Sequence, residues 1–265
     1  MSQSQIRSNQ AFTLITGASK GIGKSIAIEC AKRKMNLILI ARNESLLFSL
    51  KESLIENYHI EVECLTLDLL LKNSTDIIFE FINKRAITLN VLINNVGIGC
   101  YGNFSTSSLD HNLDVIKLNI EANLKLTHLY LGQIDTANKS YLLNVLSMAA
   151  FQPIPNFSIY AASKAFMLSF TKSLQYEQRY SNLSVSALCP GGTDSEFFVD
   201  AKMDHIFEKN KRWLMAPSEV ASIAIHKMFA GKKIIIPGFY NKLHFILLKI
   251  IPETWILYFT SRIYK

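Results

Sequence analysis

The sequence predicts an α/β fold, in which one doubly wound parallel sheet of about seven strands carries helices on both faces. Short, largely apolar runs recur along the 265 residues, helical patterns lie between them, and no polar linker interrupts the alternation. Apolar runs of this kind are typical of parallel strands covered on both faces. A chain of this length buries roughly 70–75% of its unfolded surface, enough for one large core. We therefore expect a single domain over residues 1–265.

The apolar runs give the predicted strands in chain order. They are residues 12–16, 37–41, 62–67, 91–94, 141–146, 184–188 and 234–236. Right-handed crossovers between such strands produce a sheet whose ligands bind at the carboxyl ends of the strands. Any functional site is therefore expected at that edge.

A glycine-rich turn joins the first strand to a helical pattern that runs from about Lys24 to Lys34. Its glycines allow a tight turn and bring backbone N–H groups close to a pyrophosphate at the helix N-terminus. The spacing Gly-x-x-x-Gly-x-Gly departs from the Gly-x-Gly-x-x-Gly dinucleotide fingerprint, and a turn without a ligand is the alternative. The predicted phosphate-binding residues are Gly17, Ser19, Lys20, Gly21, Ile22 and Gly23.

The second strand ends at Ala41-Arg42, where a dinucleotide fold selects its cofactor. An acidic residue at this place would bind the adenosine ribose hydroxyls, whereas arginine pairs with a 2′-phosphate. Ala41 has no carboxylate, while Arg42 and Lys20 are cations, although either could be solvated at the surface. The sequence therefore favours NADP(H) over NAD.

Tyr160 and Lys164 lie one helical turn apart, and Ser147 lies 160 − 147 = 13 positions upstream of the tyrosine. Positions i and i+4 share one face of a helix, so the phenol and the ammonium can act on one bound molecule. An ammonium ~4 Å away at an effective dielectric of ~20 would lower the phenol pKa by about 3 units. Packing of a tyrosine on a neighbouring lysine stem is the alternative.

Together these motifs resemble the short-chain dehydrogenase/reductase family, including its ketoacyl reductases and hydroxysteroid dehydrogenases, over roughly residues 12–238. The resemblance implies a Rossmann-type fold and a catalytic set of Ser147, Tyr160, Lys164 and Asn119. In this family the lysine also binds the nicotinamide ribose, and the asparagine organises a proton-relay water. The residues implied for the cofactor, beyond the glycine turn and Arg42, are Asp68, Asn94, Val96, Gly97, Tyr160, Lys164, Pro190, Gly191 and Thr193.

The match has departures. Val96 replaces the usual alanine of the Asn-Asn-Ala-Gly element. The family often has Ser-Ser-x-x-Gly around the catalytic serine, whereas here Ser147 is followed by Met148-Ala149-Ala150. The hydroxyl that contacts the nicotinamide carboxamide could come from Thr193 or Ser195.

Composition and charge exclude several functions. The net charge of +7 comes from lysines and arginines spread through the chain without interleaved aromatics, so nucleic-acid binding is not expected. Four dispersed cysteines and six scattered histidines have no metal-ligand spacing, so no metal is expected and the thiols are expected to be reduced. The first ten residues lack the apolar core of a secretory signal. A cytoplasmic protein is therefore expected.

Two segments are expected to determine the substrate and the partners. The loop over residues 191–215, with Phe151 and Phe157 nearby, is expected to form an apolar substrate pocket. Its large apolar side chains include Phe197, Phe198, Phe207, Trp213 and Leu214. Residues 239–265 are apolar and basic, but Lys249, Pro252 and Glu253 interrupt them before the ~20 residues that a spanning helix needs. Three roles remain open for this extension: a helix in the membrane interface with Lys242, Lys249, Arg262 and Lys265 at the head groups, a lid, or a subunit contact.

The sequence thus predicts an NADP(H)-dependent oxidoreductase that interconverts a secondary alcohol and a ketone, with an apolar or acyl-like substrate. The alternative is a cofactor-binding regulator or scaffold with the same fold and little turnover. Similar proteins are often dimers or tetramers, so a homo-oligomer is expected.

Overall fold

Seven parallel strands form one sheet in the order β3-β2-β1-β4-β5-β6-β7 within the part of the chain that this computed structural model describes, residues 11–134, 137–203, 206 and 214–264. The strands are Phe12–Thr16 (β1), Asn36–Ala41 (β2), Val62–Thr66 (β3), Leu89–Asn94 (β4), Ser140–Val145 (β5), Leu183–Leu188 (β6) and Ile234–Ile235 (β7). Every predicted strand is present, with bounds shifted by two residues at most. The Rossmann-type doubly wound fold is therefore confirmed.

Helices follow the strands and cover both faces of the sheet. They are Gly21–Lys32 (α1), Glu44–Tyr58 (α2), Ser74–Lys84 (α3), Leu109–Ile116 (α4), Asn123–Leu131 (α5), Ser158–Glu177 (α6), Phe197–Asp200 (α7), Pro217–Phe229 (α8), Phe239–Leu247 (α9) and Glu253–Ile263 (α10). Two shorter segments are a π-helical turn at Lys117–Ala122 and a 3₁₀ turn at Met148–Phe151. The first helix begins at Gly21, earlier than the sequence predicts.

Two apolar clusters enclose the sheet, one on each face. The first includes Ile26 of α1, Leu50 of α2 and Val220 of α8, and the second includes Ile82 of α3, Leu126 of α5 and Leu174 of α6. Strands β1 and β2 are buried along their whole length. This explains their continuous apolar sequence and fixes the carboxyl ends of the central strands as a rigid edge.

The four cysteines are free thiols, two of them buried (Cys30 and Cys189) and two partly buried (Cys64 and Cys100). Burial raises the pKa of Cys30 and of Cys189 to about 12. A thiol with so high a pKa is a poor nucleophile near neutrality, so these two act as small apolar side chains.

Candidate active site

A cavity of about 830 Å³ lies at the carboxyl ends of the strands and collects most of the predicted site residues. Those that line it are Gly17, Ser19, Lys20, Gly21, Ile22, Gly23, Arg42, Asp68, Val96, Gly97, Ser147, Tyr160, Lys164, Pro190, Gly191 and Thr193. Ser195, the alternative to Thr193, lines it as well. Asn94 and Asn119 are absent from the lining and are buried behind it.

The glycine turn between β1 and α1 is built by close backbone approach. Gly17 adopts a positive φ of 63°, and a Cβ on Gly23 would collide with the carbonyl oxygen of Gly17. Larger residues are therefore excluded at Gly23, whatever the ligand. Lys20, at the N-cap of α1, has no side-chain oxygen that could accept from the first-turn N–H groups. Those N–H groups lie at the cavity, as a phosphate site requires.

Asn95 fixes this turn and was missed by the sequence interpretation. Its Nδ2 donates to the carbonyl oxygens of Thr16 (2.9 Å) and Gly17 (3.1 Å), while its backbone N–H donates to Thr16 Oγ1 at 3.0 Å. These bonds tie the end of β4 to the glycine turn after β1.

Asn94 points the other way. Its Nδ2 donates to Thr127 Oγ1 at 3.0 Å and to Asn144 Oδ1 at 2.9 Å, and Asn144 Nδ2 donates to Thr171 Oγ1 at 2.9 Å. This buried network joins β4 and β5 to α5 and α6. The structure therefore does not bring the Asn94 side chain to the cavity, and the predicted cofactor contact becomes a scaffold contact.

Charged groups surround the end of the cavity near β2 and β3. Arg42 Nη1 lies 4.0 Å from Asp68 Oδ2, and 65% of the arginine side chain is exposed. Lys20 pairs with Glu196 of the loop after β6, and this carboxylate raises the pKa of Lys20. Arg42 thus lies at the end of β2, where the sequence predicts a 2′-phosphate, whereas Lys20 lines the same cavity in an ion pair with the loop after β6.

The residues present fit a dinucleotide phosphate cofactor. The cavity has the volume of a ligand site, is floored by glycine backbone at a helix N-terminus, and has the cations Lys20 and Arg42 in its lining. The hydroxyl of Ser147, the phenol of Tyr160 and the ammonium of Lys164 lie along its other part.

Ser147 and Tyr160 form the hydroxyl pair of the site. Ser147 caps the 3₁₀ turn, and its Oγ accepts from the N–H of Ala149 at 3.1 Å. Burial raises the pKa of Tyr160 above its ordinary value, and the hydrogen bond with Ser147 only partly offsets this. The expected lowering of the phenol pKa is therefore wrong in direction. A Coulomb argument omits the loss of hydration, which penalises a buried phenolate.

Lys164 lies over the ring of Tyr160, with Nζ 5.6 Å from the ring centroid, and donates to the carbonyl oxygen of Val145 at 3.2 Å. It is 4% exposed, and burial lowers its pKa to about 8. The ammonium is thus partly discharged just above neutral pH, which explains why it does not dominate the phenol.

Asn119 lies in the π-helical turn that follows α4. Its Oδ1 accepts from the N–H of Ile98 at 2.9 Å, and its Nδ2 donates to the carbonyl of Ile98 and to Ser163 Oγ, both at 3.0 Å. A π-helical turn often marks a functional position. Here it ties the loop after β4 to the helix that carries Tyr160 and Lys164.

Aromatic side chains form the substrate end of the cavity. Phe157 stacks on Tyr160 with ring centroids 4.4 Å apart, and Phe197 lies 5.2 Å from the tyrosine ring. Phe198 also lines the cavity, whereas Leu214 does not. Phe207 and Trp213 lie outside the described residues.

The sequence predicts Phe151 in the substrate pocket, but the residue does not line the cavity. Its ring lies 4.6 Å from that of Phe245 of α9, and both pack against a smaller apolar cluster that includes Met167 and Leu168 of α6. The contact with α9 therefore takes the place of the predicted contact with the substrate.

Several lining residues were not foreseen. Gln152 lines the cavity with its buried Oε1 unpaired within the described ranges. Asn241, His244 and Tyr264 reach the cavity from the C-terminal extension. Their positions depend on the path of two helices far downstream of the catalytic motif, so no local pattern could place them.

The chain matches the family model for a short chain dehydrogenase over residues 11–205. It is 31% identical over 252 residues to the hydroxysteroid dehydrogenase-like protein 1 of Gallus gallus, a match that covers 92% of this chain and 73% of the relative. The 17-beta-hydroxysteroid dehydrogenase type 3 of Homo sapiens is 27% identical over 252 residues, with coverage of 90% and 80%. A very-long-chain 3-oxoacyl-CoA reductase of Anas platyrhynchos is 32% identical over 202 residues, 74% of this chain and 62% of the relative.

Solved structures are also similar to this chain. A short-chain dehydrogenase from Sphingobium yanoikuyae in complex with NADPH superposes with a TM-score of 0.82 at 27% identity, over 90% of this chain and 92% of that one. A 7beta-hydroxysteroid dehydrogenase has a TM-score of 0.85 at 21% identity, over 94% and 96% of the two chains, which shows the shared fold.

Proposed function

The chain belongs to the short-chain dehydrogenase family of oxidoreductases, and from that premise we propose that it is an NADP(H)-dependent reductase of apolar ketones. The observation that carries the proposal is the convergence of Ser147, Tyr160 and Lys164 on the cavity that the glycine turn floors. Relatives named as hydroxysteroid dehydrogenases and as 3-oxoacyl-CoA reductases support an alcohol–ketone reaction on a lipophilic molecule.

The side chains divide the reaction between them. Ser147 hydrogen-bonds the carbonyl oxygen and stabilises the negative charge that develops on it. Tyr160 donates a proton to that oxygen, and its raised pKa keeps the phenol protonated at neutral pH, which favours reduction. Reduced NADP supplies the hydride when bound. Lys164 holds positive charge beside the phenol. Asn119 holds the π-helical turn against the helix that carries Tyr160 and Lys164.

The choice of NADP(H) rests on Arg42, since Ala41 has no carboxylate for a ribose diol. We expect Arg42→Asp to weaken NADPH binding about 10–100-fold, because it removes a charge-assisted bond and adds repulsion, while NADH binding changes little. Titration of each cofactor by protein fluorescence measures both constants. Arg85→Asp, whose partner is Glu63 outside the cavity, is the matched control. Equal losses for the two cofactors would place the phosphate elsewhere.

The cavity wall favours an apolar substrate. Ile154, Phe157, Phe197, Phe198 and Met203 supply most of the side chains near Tyr160. Such a lining binds hydrocarbon by removing it from water and offers little to a charged sugar.

We also propose that the C-terminal extension binds an anionic membrane surface. Large apolar side chains are exposed along α9 and α10, among them Phe239, Ile246, Ile250, Trp255, Tyr258, Phe259 and Ile263. Over the described ranges, no helix has both the length and the apolar character needed to cross a bilayer. Short amphipathic helices with cations beside an apolar face are typical of interfacial binding.

The charges favour lipid over a second copy of the chain. Lys249 lies 4.4 Å above the ring of Phe245, and Arg262 lies 4.6 Å above the ring of Tyr258. Lys242 of α9 is exposed as well. If two copies of the chain met through this face, their positive charges would repel each other, since Glu253 is the acidic residue that α9 and α10 offer in compensation. Anionic lipid head groups instead complement these positive charges. Lys265 lies outside the described residues.

Vesicle flotation tests the membrane proposal. We expect the full chain to float with vesicles that contain phosphatidylserine and less with phosphatidylcholine alone. Trp255→Glu with Phe259→Glu should lower the bound fraction at least about tenfold, because burial of each aromatic side chain is worth about 1.5–3 kcal/mol. Leu71→Glu, a substitution of another exposed apolar residue, is the control. If the same fraction of every variant floats with the vesicles, the proposal is contradicted. It is also contradicted if the chain forms a dimer in the absence of vesicles and the double substitution dissociates that dimer.

A homo-oligomer is proposed through a different surface. Leu109, Leu113, Ile116 and Phe166 are exposed on the helices next to Asn119 and Tyr160. Light scattering by the purified chain gives the number of subunits.

A regulator or scaffold without turnover remains the second candidate, and the Tyr160 variant described below separates it from the enzyme.

A further inference from the structure

The last described residue places an aromatic ring inside the catalytic cavity. Tyr264 follows α10, and its ring centroid lies 6.4 Å from that of Phe157, with the planes inclined by 16°. Phe157 in turn stacks on Tyr160 at 4.4 Å. The ring of Phe157 therefore lies between the reacting phenol and the ring of Tyr264.

Two separate loops hold this residue in place. The carbonyl oxygen of Tyr264 accepts a hydrogen bond from the hydroxyl of Tyr101 at 3.0 Å and from Nδ2 of Asn156 at 2.8 Å. Asn156 has a φ of 62°, a left-handed conformation that asparagine tolerates, and its own carbonyl accepts from the N–H of Gly102 at 2.8 Å. The ring position is thus fixed by backbone that packs beside the cavity.

The hydroxyl of Tyr264 is available to a ligand. Within residues 11–134, 137–203, 206 and 214–264, no side chain or backbone group hydrogen-bonds it, and burial raises its pKa so that the phenol stays neutral. Its neighbours Phe157, Phe198 and Met203 are apolar. A phenol among such side chains can stack on hydrocarbon with its ring and still offer one polar group.

We propose that Tyr264 is a specificity residue that contacts the substrate at the end remote from the reacting carbonyl. Its ring stacks on an apolar ring or chain, and its hydroxyl hydrogen-bonds a second polar group there. The substrate class is therefore an apolar ketone with a hydroxyl or carbonyl at its far end. This inference rests on the proposed reductase function and adds a requirement to it.

Three ketones, one without a ring hydroxyl and two with a hydroxyl at different positions, test the proposal. The probes are 4-phenylbutan-2-one and its para- and meta-hydroxyl forms, each assayed for NADPH oxidation by the full chain. We expect Tyr264→Phe to lower kcat/KM for the better hydroxyl form about tenfold through KM, and to change the unsubstituted ketone by less than about twofold. Tyr264→Ala should lower kcat/KM about tenfold for every probe, because stacking is lost as well.

Controls separate contact from folding and from the proposed function. Tyr180→Phe removes an exposed hydroxyl outside the cavity lining and should leave all values unchanged. Asn156→Ala loosens the carbonyl of Tyr264 and should weaken both types of ketone. Calorimetric binding of the same probes to the NADPH-loaded protein gives a second readout. A wild type that turns over no probe contradicts the reductase proposal, but calorimetry still tests Tyr264; unchanged binding by Tyr264→Phe and Tyr264→Ala overturns its assignment.

Discussion

Replacement of Tyr160 by phenylalanine is expected to lower kcat/KM for ketone reduction about a thousandfold, since it removes the proton donor and leaves the ring packing intact. The ring of Tyr160 contacts Phe157 and Phe197, and phenylalanine preserves both contacts. The affinity for NADPH should stay within about twofold, because the phenol contributes one hydrogen bond at most to the cofactor. Steady-state NADPH oxidation and fluorescence titration measure the two quantities.

Tyr176→Phe is the matched control for this substitution, because it removes an exposed phenol from the same helix, α6. A Tyr160→Phe variant that retains wild-type turnover would contradict the catalytic assignment. If the wild type binds NADPH tightly and reduces no ketone in a broad panel, the regulator or scaffold is the better description.

Replacement of Lys164 by methionine should have the largest combined effect, as it removes activity and stabilises the cofactor-free protein. Burial holds the pKa of this 4% exposed ammonium at about 8 instead of 10.5, a cost near neutral pH of about 3 kcal/mol. The lost hydrogen bond to Val145 offsets about 1 kcal/mol of the gain. We expect the free energy of unfolding to rise by about 2 kcal/mol in urea titrations, with kcat/KM reduced about 10²-fold or more.

The pH dependence gives this prediction its sign. The folded pKa of Lys164 is lower than the unfolded one, so the unfolded chain binds more protons between about 8 and 10.5. Wild-type stability without cofactor should therefore rise with pH across that window, and Lys164→Met should lack this rise. Turnover runs in the opposite direction, since discharge of the ammonium lowers it as the pH passes about 8. Equal slopes in the two proteins would show that Lys164 is not the titrating group.

The fold and the meeting of Ser147, Tyr160 and Lys164 at one cavity were predictable because both depend on local patterns. Apolar runs set the strands, and the order of the glycine turn, Ser147, Tyr160 and Lys164 along the chain indicated the site. Asn94 and Asn95 show where this reasoning fails. Side chains alternate along a strand, so neighbours at its end face opposite ways, and the second asparagine faces the glycine turn.

Three other errors have physical causes that a sequence does not display. The pKa of Tyr160 moves upward because burial, a property of the whole fold, outweighs the hydrogen bond with Ser147. Tyr264 lies 264 − 160 = 104 residues beyond the catalytic tyrosine, and only the tertiary path of α9 and α10 brings them together. Phe151 was misplaced for the same reason, as its partner is Phe245.

The hydrogen bond between Tyr101 and Tyr264 joins residues 163 positions apart, and this separation has a consequence for the order of folding. Closing so long a loop costs more entropy than pairing β1 with β2, whose partners lie about two dozen residues apart. The part of the sheet around β1 and β2, next to the glycine turn, can therefore fold early. The aromatic side chains that line the cavity near Tyr264 come together late in folding. A chain refolding from denaturant should regain its affinity for NADPH before it regains discrimination among ketones.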